Sequence, residues 1–544
     1  MLHPHVGDAY FTGDIYNQVE RAHSEDFTEN GAKSRDGKYL NHIKTLSSSW
    51  PRLAYLAEYM EASTVPAKAK LLSLHDRAER WNRIKATILS FDNLQDIEKK
   101  DCNSLESLSR ALTHSDHPTK PNRLIVCEDI SSGLIELLGS SFDIDPHFFR
   151  GHLEDHTWFN TKDPWVELPE LDSTLKDRSF CNLRYVQARY FESDLYIQNA
   201  KAKIASFNVM RRLDLEGSAL SGIEKWWDGK GGKVGLIRHK ASLWIRQDKA
   251  TNAWLDPTLT EGRLLWNGYG RLDKPPGMQE IRQSMLSPVT SFFEAFISQA
   301  LEIVSSHTSP NKSGPELITA PLYSLILGEW LLALEYTFTG LFQIEWAIDA
   351  SRMHEQQDPS RQRQPHTLDD CLQRLHKWQR RLPFFVSWIQ STTVNLEGLY
   401  QVAREEPQMQ SPLSLHSDLA SDRLWRKYVA DFRNLHSRFS GLASRGDKIL
   451  NIATAITAVQ ESQRTMEQSQ SLSRVTYLAF VFIPLSFVSS FLSMNSDFEH
   501  STTAYKRFFE IAIPLCLLAT IIALYSGRFR MLWLGTKRKV FKKS

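Results

Sequence analysis

A row of small and hydroxyl-bearing side chains recurs every three or four residues along the C-terminal part of the sequence. The row begins near Ala455, and its last members are Leu472, Thr476, Ala479, Ile483, Ser486, Ser490 and Ser493. Because residues three and four apart lie on one side of an α-helix, the row predicts a single helical face. Hydroxyl groups on such a face can contact a hydrated ion when several helices surround a water-filled axis. Close helix packing through small residues explains the same pattern without a pore, and periodicity leaves both interpretations open.

An uncharged amide follows the last member of the row. Met494 and Asn495 come directly after Ser493, and the acidic residues Asp497 and Glu499 come next. Mg²⁺ sheds its water reluctantly, so a selective entrance for it would use carbonyl or amide oxygens around an opening wide enough for the hydrated ion. Asn495 is therefore the candidate metal-contacting residue, through the hydrated ion, and a helix cap is its alternative role.

Two segments near the C-terminus have the composition of membrane spans. Residues 475–494 contain no charged side chain and, as a helix, are long enough to cross about 30 Å of hydrocarbon. Residues 508–525 form a second apolar segment, whose one charged residue, Glu510, lies near its start. Only residues 495–507 separate the two segments, so the sequence predicts a two-helix transmembrane hairpin with a short extracytoplasmic loop.

Basic residues near the ends of the spans predict the orientation. The tail at residues 526–544 carries several Lys and Arg residues, including Arg528 and Arg530, whereas the connecting loop carries only Lys506 and Arg507. Because Lys and Arg favour the cytoplasmic side, we expect the tail and the large N-terminal portion to be cytoplasmic. The expected location is the plasma membrane, with two passes and both termini cytoplasmic.

Residues 320–348 form a rival apolar stretch, which Glu329, Glu335 and Glu345 interrupt. Burying carboxylates in lipid costs roughly 2.5–3.5 kcal/mol each on insertion scales. We therefore predict that this stretch is a long core helix of the soluble part.

The remaining patterns divide the chain into regions. Residues 1–80 are a polar N-terminal region, residues 81–275 alternate strand-like and helical runs, and residues 276–440 have helical periodicity. Residues 441–474 continue without proline into the first span, which predicts a stalk helix whose apolar seam runs through Ile452, Val459 and Met466. The predicted fold class is an α+β cytoplasmic domain with a long α-helical stalk and the membrane hairpin.

Charge and cysteine content disfavour several functions. The chain has 65 Lys and Arg against 63 Asp and Glu, a balance that argues against a nucleic-acid partner. The five cysteines are scattered without a Cys-x-x-Cys pair, so neither a disulfide framework nor a cysteine zinc site is indicated. His147, His152 and His156 could bind zinc, but a surface helix near a loop explains them equally well. Since no catalytic grouping stands out, we predict that the protein is not an enzyme.

The run SRVTYLAFVFIPLSFVSSFLSMN, followed by a short loop, a second span and GRFRMLWL, resembles the C-terminal signature of the CorA-like magnesium transporters, particularly their divergent fungal branch. The segment GLIELLGSSFDIDPHFF at residues 133–149 resembles part of that branch's cytoplasmic domain. The resemblance implies a CorA-like homopentamer in a lipid bilayer, with the first span lining the pore and the long helix forming a funnel.

The same resemblance assigns roles to individual residues. Met494 and Asn495 match the last two residues of the family's Gly-Met-Asn signature, and Ser486 and Ile483 fall on the inner face of the pore. Arg528 and Arg530 correspond to a basic belt at the cytoplasmic mouth. Mg²⁺ is expected as the transported ion and as a regulatory ligand of cytoplasmic sites between protomers, without any other cofactor.

One residue departs from the signature, because Ser493 stands where the family has glycine. Glycine permits backbone geometry and a close approach that a side chain hinders. Two hypotheses follow: a channel-type transporter of divalent cations, and a non-conducting membrane-anchored sensor or binding protein of CorA-like fold.

Overall fold

The computed structural model describes residues 37–50, 52–63, 73–92, 96–113, 122–153, 178–215, 233–245, 250–264, 291–306, 315–357, 368–405, 415–493 and 506–519, with residue 521. The chain divides into two compact units, Met1–Leu450 and Asn451–Ser544. The first unit is built around one mixed β-sheet, and the described residues of the second unit are helical. The predicted α+β organisation with long helices is confirmed.

The sheet contains the strands β1 (Lys85–Asp92), β2 (Asp96–Cys102), β3 (Asn122–Glu128), β4 (Phe180–Phe191), β5 (Leu213–Leu215), β6 (Lys233–Ile245), β7 (Ala250–Leu255) and β8 (Arg263–Leu264). Their order is β2-β1-β3-β7-β6-β4-β8, and β5 pairs with β6. Only β3 and β7 are parallel, with Ile125 opposite Asn252; the other pairs are antiparallel. The runs KATILSFD and NRLIVCE form β1 and β3, as their apolar, β-branched composition predicts.

Short helices supply much of the core of the first unit. They are α1 (Lys38–Ser47), α2 (Arg52–Ala62), α3 (Leu74–Asn82), α4 (Leu105–Thr113), α5 (Ser132–Phe142), α6 (Pro146–Leu153) and α7 (Asp194–Ser206). The region expected to be merely polar contributes fully buried side chains to this core, among them Leu40, Leu56 and Tyr59. The apolar residues of this region lie on one face of short amphipathic helices, so a polar average composition does not reveal that they form part of a core.

The sheet lies between helices on both faces. Along β4, Asn182 accepts a hydrogen bond from Ser242, which also contacts His152 of α6. The odd-numbered residues of β4 point to the other face of the sheet. There, Tyr185 stacks on Phe292 of α8 (Phe292–Ser306), at 5.0 Å between ring centroids. Because side chains alternate across a strand, β4 serves both helical layers.

The stretch with three glutamates belongs to α9 (Pro315–Gln357), which packs against this second face. Glu329 is buried and accepts a hydrogen bond from Gln187 of β4 at 2.8 Å. The neighbouring Trp330 donates its indole N–H to the carbonyl oxygen of Arg184 at 3.1 Å. These bonds satisfy polar groups inside a protein core, as the prediction of a core helix requires.

Two further helices follow, α10 (Leu368–Glu405) and α11 (Leu415–Ser493). Up to Ile449, α11 packs against α9 and α10, and Phe439 lies against both Trp330 and Phe385, at 5.5 and 6.0 Å between ring centroids. The sequence divides this region into separate helical segments on either side of residue 440. In the structure, residues 415–493 form one 79-residue helix that contains Gly441 and Gly446, because the cost of a glycine inside a helix, about 1 kcal/mol, is small beside the packing of its apolar side chains.

A buried carboxylate joins α6 to the sheet. Asp256 accepts two hydrogen bonds from Arg211, at 2.6 and 2.9 Å, and its Oδ1 lies 3.3 Å from Nε2 of His152. Burial alone would raise the pKa of Asp256, but Arg211 and His152 outweigh that effect and hold the pKa well below its usual range. The group is therefore ionised and paired inside the core.

His239 lies beside this ion pair, stacked on Tyr185 at 5.4 Å between ring centroids, with Nδ1 3.8 Å from Asp256. Among the described residues, neither of its ring nitrogens has a hydrogen-bond partner. Burial lowers the pKa of His239 from 6.5 to about 4, although Asp256 opposes the shift. His239 therefore stays neutral in the folded protein at neutral pH.

Acid should destabilise the first unit through His239. A base whose pKa is lower in the folded state contributes stability that is full above its unfolded pKa, near 6.5, and is lost as the pH falls towards 4. Within that window we expect the free energy of unfolding to fall by about 1.4 kcal/mol per pH unit for this group. His239→Phe should remove that slope. Denaturant unfolding of the full-length chain in detergent at pH 7 and pH 5 measures it, and equal slopes in both proteins would contradict the assignment.

Candidate functional site

The structure places the predicted pore residues along the C-terminal end of α11. Those within its described part are Leu472, Thr476, Ala479, Ile483, Ser486, Ser490 and Ser493. Ala479 is half-buried and the other six are exposed within the single chain. The hydroxyl row therefore lies on a helix, and most of its side chains are not covered by other described parts of the chain.

A second helix, α12 (residues 506–519), packs against one side of α11. The Sγ atom of Cys516 donates to the carbonyl oxygen of Val481 at 3.5 Å. Val488 of α11 and Ala512 of α12 are only 4% and 0% exposed, whereas most of their neighbours are exposed. The backbone of Val481 and the side chain of Val488 therefore mark the covered side of α11, although the side chain of Val481 is still 39% exposed.

The hydroxyl row lies on the opposite side of α11 from the covered one. At about 100° per residue, Val481 is within about 20° of Val488 around the helix axis. On the same scale, Ser486 and Ser490 are each about 160° from Val488, in opposite directions. The contact with α12 thus leaves the hydroxyl face as the surface farthest from the partner helix.

Two hydroxyl groups of the row donate hydrogen bonds to carbonyl oxygens of their own helix. Thr476 donates to the carbonyl oxygen of Leu472 at 2.8 Å, and Ser486 donates to that of Ile483 at 3.0 Å. Such bonds to the preceding turn satisfy the hydroxyl hydrogen within the helix. The oxygen lone pairs remain able to accept hydrogen bonds, and water molecules around a cation offer outward-pointing hydrogens.

Ser493, the departure from the family signature, is the last residue of α11. It adopts helical geometry, which any residue with a side chain reaches without strain. At this position the backbone does not require glycine. Any effect of serine in place of glycine at this position therefore comes from the volume of its side chain.

The predicted stalk seam is exposed beyond the first unit. Ile449 is buried, but Ile452, Val459 and Met466 are 49%, 58% and 61% exposed. Large apolar side chains at seven-residue spacing on an exposed helix are typical of a helix that pairs with other helices.

Several predicted residues lie outside the described part of the chain: Met494, Asn495, Asp497, Glu499, Arg528 and Arg530. Their roles stay predictions. Across the residues that the structure describes, no group of three or more His, Cys, Asp and Glu side chains could hold a metal ion. A surface helix, the alternative to zinc binding for these histidines, does not describe His152, which is buried against Asp256; His156 is outside the described residues.

Hydropathy of the described helices identifies one stretch with the length and composition of a membrane span, Thr319–Asp349 within α9. Half of its most apolar window is buried inside the first unit. In α11 the corresponding apolar stretch, Val481–Phe491, is shorter than a span. The membrane hairpin inferred from the sequence accordingly stays a prediction.

Comparison with known proteins identifies a family for the C-terminal quarter. A sequence model described as CorA-like Mg2+ transporter protein matches residues 394–526, which include all of α11 and α12. The resemblance to this family is confirmed for that segment, while the fungal branch stays a prediction. No curated protein matches the chain.

Similar solved structures include the CorA magnesium transporter of Methanocaldococcus jannaschii, with 9% identity, coverage of 80% of this chain and 96% of that chain, and a TM-score of 0.37. The cytoplasmic domain of ZntB from Vibrio parahaemolyticus has 9% identity, coverage of 69% and 99%, and a TM-score of 0.30. Full-length CmaX has 11% identity, coverage of 82% and 98%, and a TM-score of 0.32.

The pairing of α11 with α12 can be tested by disulfide formation. Val481→Cys should form a disulfide with the native Cys516 on mild oxidation, because the Cys516 sulfur already lies beside the backbone of residue 481. The matched control is Phe482→Cys, which lies about 100° further around α11. Mass spectrometry of peptides from the full-length protein would detect the bond, and a stronger yield from the control would contradict the pairing.

Proposed function

We propose that this chain, which carries the CorA-like segment at residues 394–526, transports divalent metal cations across a membrane as a homopentameric channel. Mg²⁺ is the ion that we expect it to favour. In this proposal the first span and the stalk of each copy surround a shared axis, and the first unit is cytoplasmic.

The arrangement of hydroxyl face and partner helix around α11 carries the proposal. A channel built from one inner helix per chain needs a helix whose polar face is turned away from the outer helix. In α11, α12 covers the Val481 and Val488 side, while Ser486 and Ser490 lie on the far side. Five such helices would line an axis with hydroxyl oxygens, which can contact the water around an ion.

Exposed aromatic and aliphatic side chains support a membrane environment for the second unit. Phe482, Phe487 and Phe491 are 59%, 65% and 67% exposed, and α12 presents further apolar residues, including Phe509, Ile511 and Ile513. Apolar surface of this extent is unfavourable in water, whereas lipid or neighbouring helices would cover it. The apolar stretch of α9 differs, because Glu329 and Trp330 bond to β4 inside the folded unit.

The two ends of the proposed channel depend on residues known here only from the sequence. Asn495 and Met494 would form the entrance, where the amide oxygens contact the hydrated ion. Asp497 and Glu499 would raise the local concentration of cations at that side. Arg528 and Arg530 would lie near the cytoplasmic mouth, in keeping with the preference of basic residues for that side of a membrane.

Neighbouring serines provide a matched test of the hydroxyl face. Ser490→Phe should lower Mg²⁺ flux by roughly tenfold or more, because bulky apolar rings around an axis exclude water and ions. Ser489→Phe introduces the same ring about 100° away around the helix and should leave most of the flux. Flux is measured with a Mg²⁺-sensitive dye in vesicles containing the full-length protein.

Size-exclusion chromatography in detergent checks that both variants assemble like the parent chain. A monomer or dimer in the parent would exclude an axis lined by one helix per copy. Equal loss of flux in both variants would remove the evidence for this face, and unchanged flux in Ser490→Phe would exclude Ser490 from the pore.

Ser493 favours a second candidate, a membrane-anchored cytoplasmic sensor or binding protein that does not conduct. A ring of serine side chains at the entrance would narrow the space that glycine leaves open. If the natural chain shows no flux and Ser493→Gly creates it, this second function is correct. Equal flux in both proteins would show that the serine is compatible with conduction.

A further inference from the structure

We propose that the aromatic side of α9 is an interface with a second copy of this chain, where it packs on the exposed face of α11. The surface on α9 consists of Phe338, Phe342 and Trp346, which we call the aromatic ridge. The inference rests on the proposed function in one respect, the assembly of several copies, and it names the surfaces that meet. All the residues that form it belong to the first unit.

The aromatic ridge is an exposed apolar surface on a folded unit. Phe338, Phe342 and Trp346 are 42%, 52% and 55% exposed. They lie within about 80° of one another around α9 and extend over about 12 Å of its length. The rings of Phe338 and Phe342 are stacked at 6.5 Å between their centroids. Large rings grouped on one helix face favour a neighbour that removes them from water.

The α9 and α11 helices run side by side in the same direction. Tyr323 and Trp425, in the early part of each helix, lie 5.4 Å apart between ring centroids. Further along both helices, Arg445 donates to Glu345 at 3.1 Å, and its guanidinium carbon lies 5.4 Å from the ring centroid of Phe338. The aromatic ridge and the adjoining face of α11 are therefore parts of one surface.

The exposed face of α11 beside the ridge has room for large side chains. At Gly441 an added Cβ would meet nothing within 4 Å among the described residues, whereas at Gly340 of α9 it would lie 3.3 Å from Trp378. Packing inside the described chain thus accounts for Gly340 but not for Gly441. Because glycine weakens a helix interior relative to alanine, the open space at Gly441 suits the close approach of another surface, such as the aromatic ridge of a second copy.

Charged residues of opposite sign flank the two surfaces. Glu335 and Asp349 are exposed on α9, within about 60° of each ridge residue. Arg438 and Lys448 are exposed on α11, within about 60° of Gly441. Within the described part of the chain these four side chains make no ion pair. The ridge therefore has an acidic border, and the face of α11 has a basic one.

The levels of these charges fit copies that run in the same direction. Measured from the ion pair between the two helices, Asp349 and Lys448 lie about 6 and 4.5 Å further along, and Glu335 and Arg438 about 15 and 10 Å before it. Rotation about an axis along the helices keeps every residue at its level, so acidic residues of α9 approach basic residues of α11 in the next copy. An antiparallel pair would instead place α9 against α9, with acid opposite acid. Charge complementarity thus selects a parallel copy of this chain as the occupant.

The contact joins two different surfaces, the aromatic ridge of one copy and the α11 face of the next. Such a heterologous interface forms a closed ring when the rotation between copies divides a full turn evenly. It is therefore compatible with the proposed pentamer, in which every copy would use both surfaces.

Crosslinking between two differently tagged full-length chains tests this contact. In a Cys516→Ser background the other four native cysteines are buried. One chain carries Trp346→Cys and the other Ser444→Cys, which is exposed about 60° from Gly441. The chains are co-expressed and treated in detergent with a short bismaleimide. We expect a product that carries both tags.

A matched control places the second thiol on another helix. His376→Cys on α10 is exposed but lies outside the proposed interface. Paired with the Trp346→Cys chain, it should give much less product than Ser444→Cys. Equal yields from the two pairs would overturn the inference.

Charge reversal tests the orientation of the copies. Asp349→Lys in the Trp346→Cys chain should lower the yield by roughly threefold, because it sets like charges opposite each other at an exposed site. Lys448→Asp in the Ser444→Cys chain should lower the yield similarly. Both changes together, one in each chain, should restore the yield, and a further fall would contradict parallel docking.

Size-exclusion chromatography of the parent distinguishes the two failures. If the parent self-associates but the pair gives no more product than the control, the interface is overturned while the proposed function stands. A monomeric parent overturns both, and a crosslinked pair in a dimeric parent supports the interface but excludes the pentamer. A fluorophore on the thiol introduced at position 346 that brominated lipid quenches, without any crosslink, would assign the ridge to the membrane and overturn the inference.

Discussion

The α12 helix packs against one side of α11, and that side is therefore not available to any other helix. In the described part of the second unit, the contact through Val481, Val488, Ala512 and Cys516 covers one side of α11, and most of the other side chains between Ile452 and Ser493 are exposed. Burying a single large apolar side chain contributes roughly 1.5–3 kcal/mol, and several such side chains remain exposed on α11 and α12. This exposed apolar surface favours lipid or further helices around the second unit, and in the proposed channel the opposite side, which carries the hydroxyl row, faces the other copies.

In the first unit, by contrast, apolar side chains are buried by contacts within one chain. Its sheet is covered on both faces, and several of the polar groups that become buried have hydrogen-bond or ion-pair partners. Glu329 of α9 meets Gln187, and Asp256 meets Arg211 and His152. A buried carboxylate without such partners would be costly, so these contacts account for an apolar stretch with glutamates that is stable away from lipid.

The α11 helix takes part in both units. Its first part packs against other helices of the chain, whereas most described side chains of its last part are exposed. Phe439 is enclosed between α9 and α10, whereas Val459 and Met466 are exposed. In the proposed channel, the last part of this helix meets water, lipid or other copies.

The sequence by itself determined the features that depend on neighbours along the chain. Periodicity predicted the strands that become β1 and β3, the long helices α9 and α10, and the row from Leu472 to Ser493, since a helical face follows from a spacing of three and four. It left open whether that row packs against a helix or faces water, and it missed the core role of Leu40 and Tyr59. Only the tertiary structure decided which side of α11 meets α12, and that Arg211 neutralises Asp256, 45 residues away along the chain. Local spacing limits the angles at which a helix can present its side chains, but packing against distant segments selects among them.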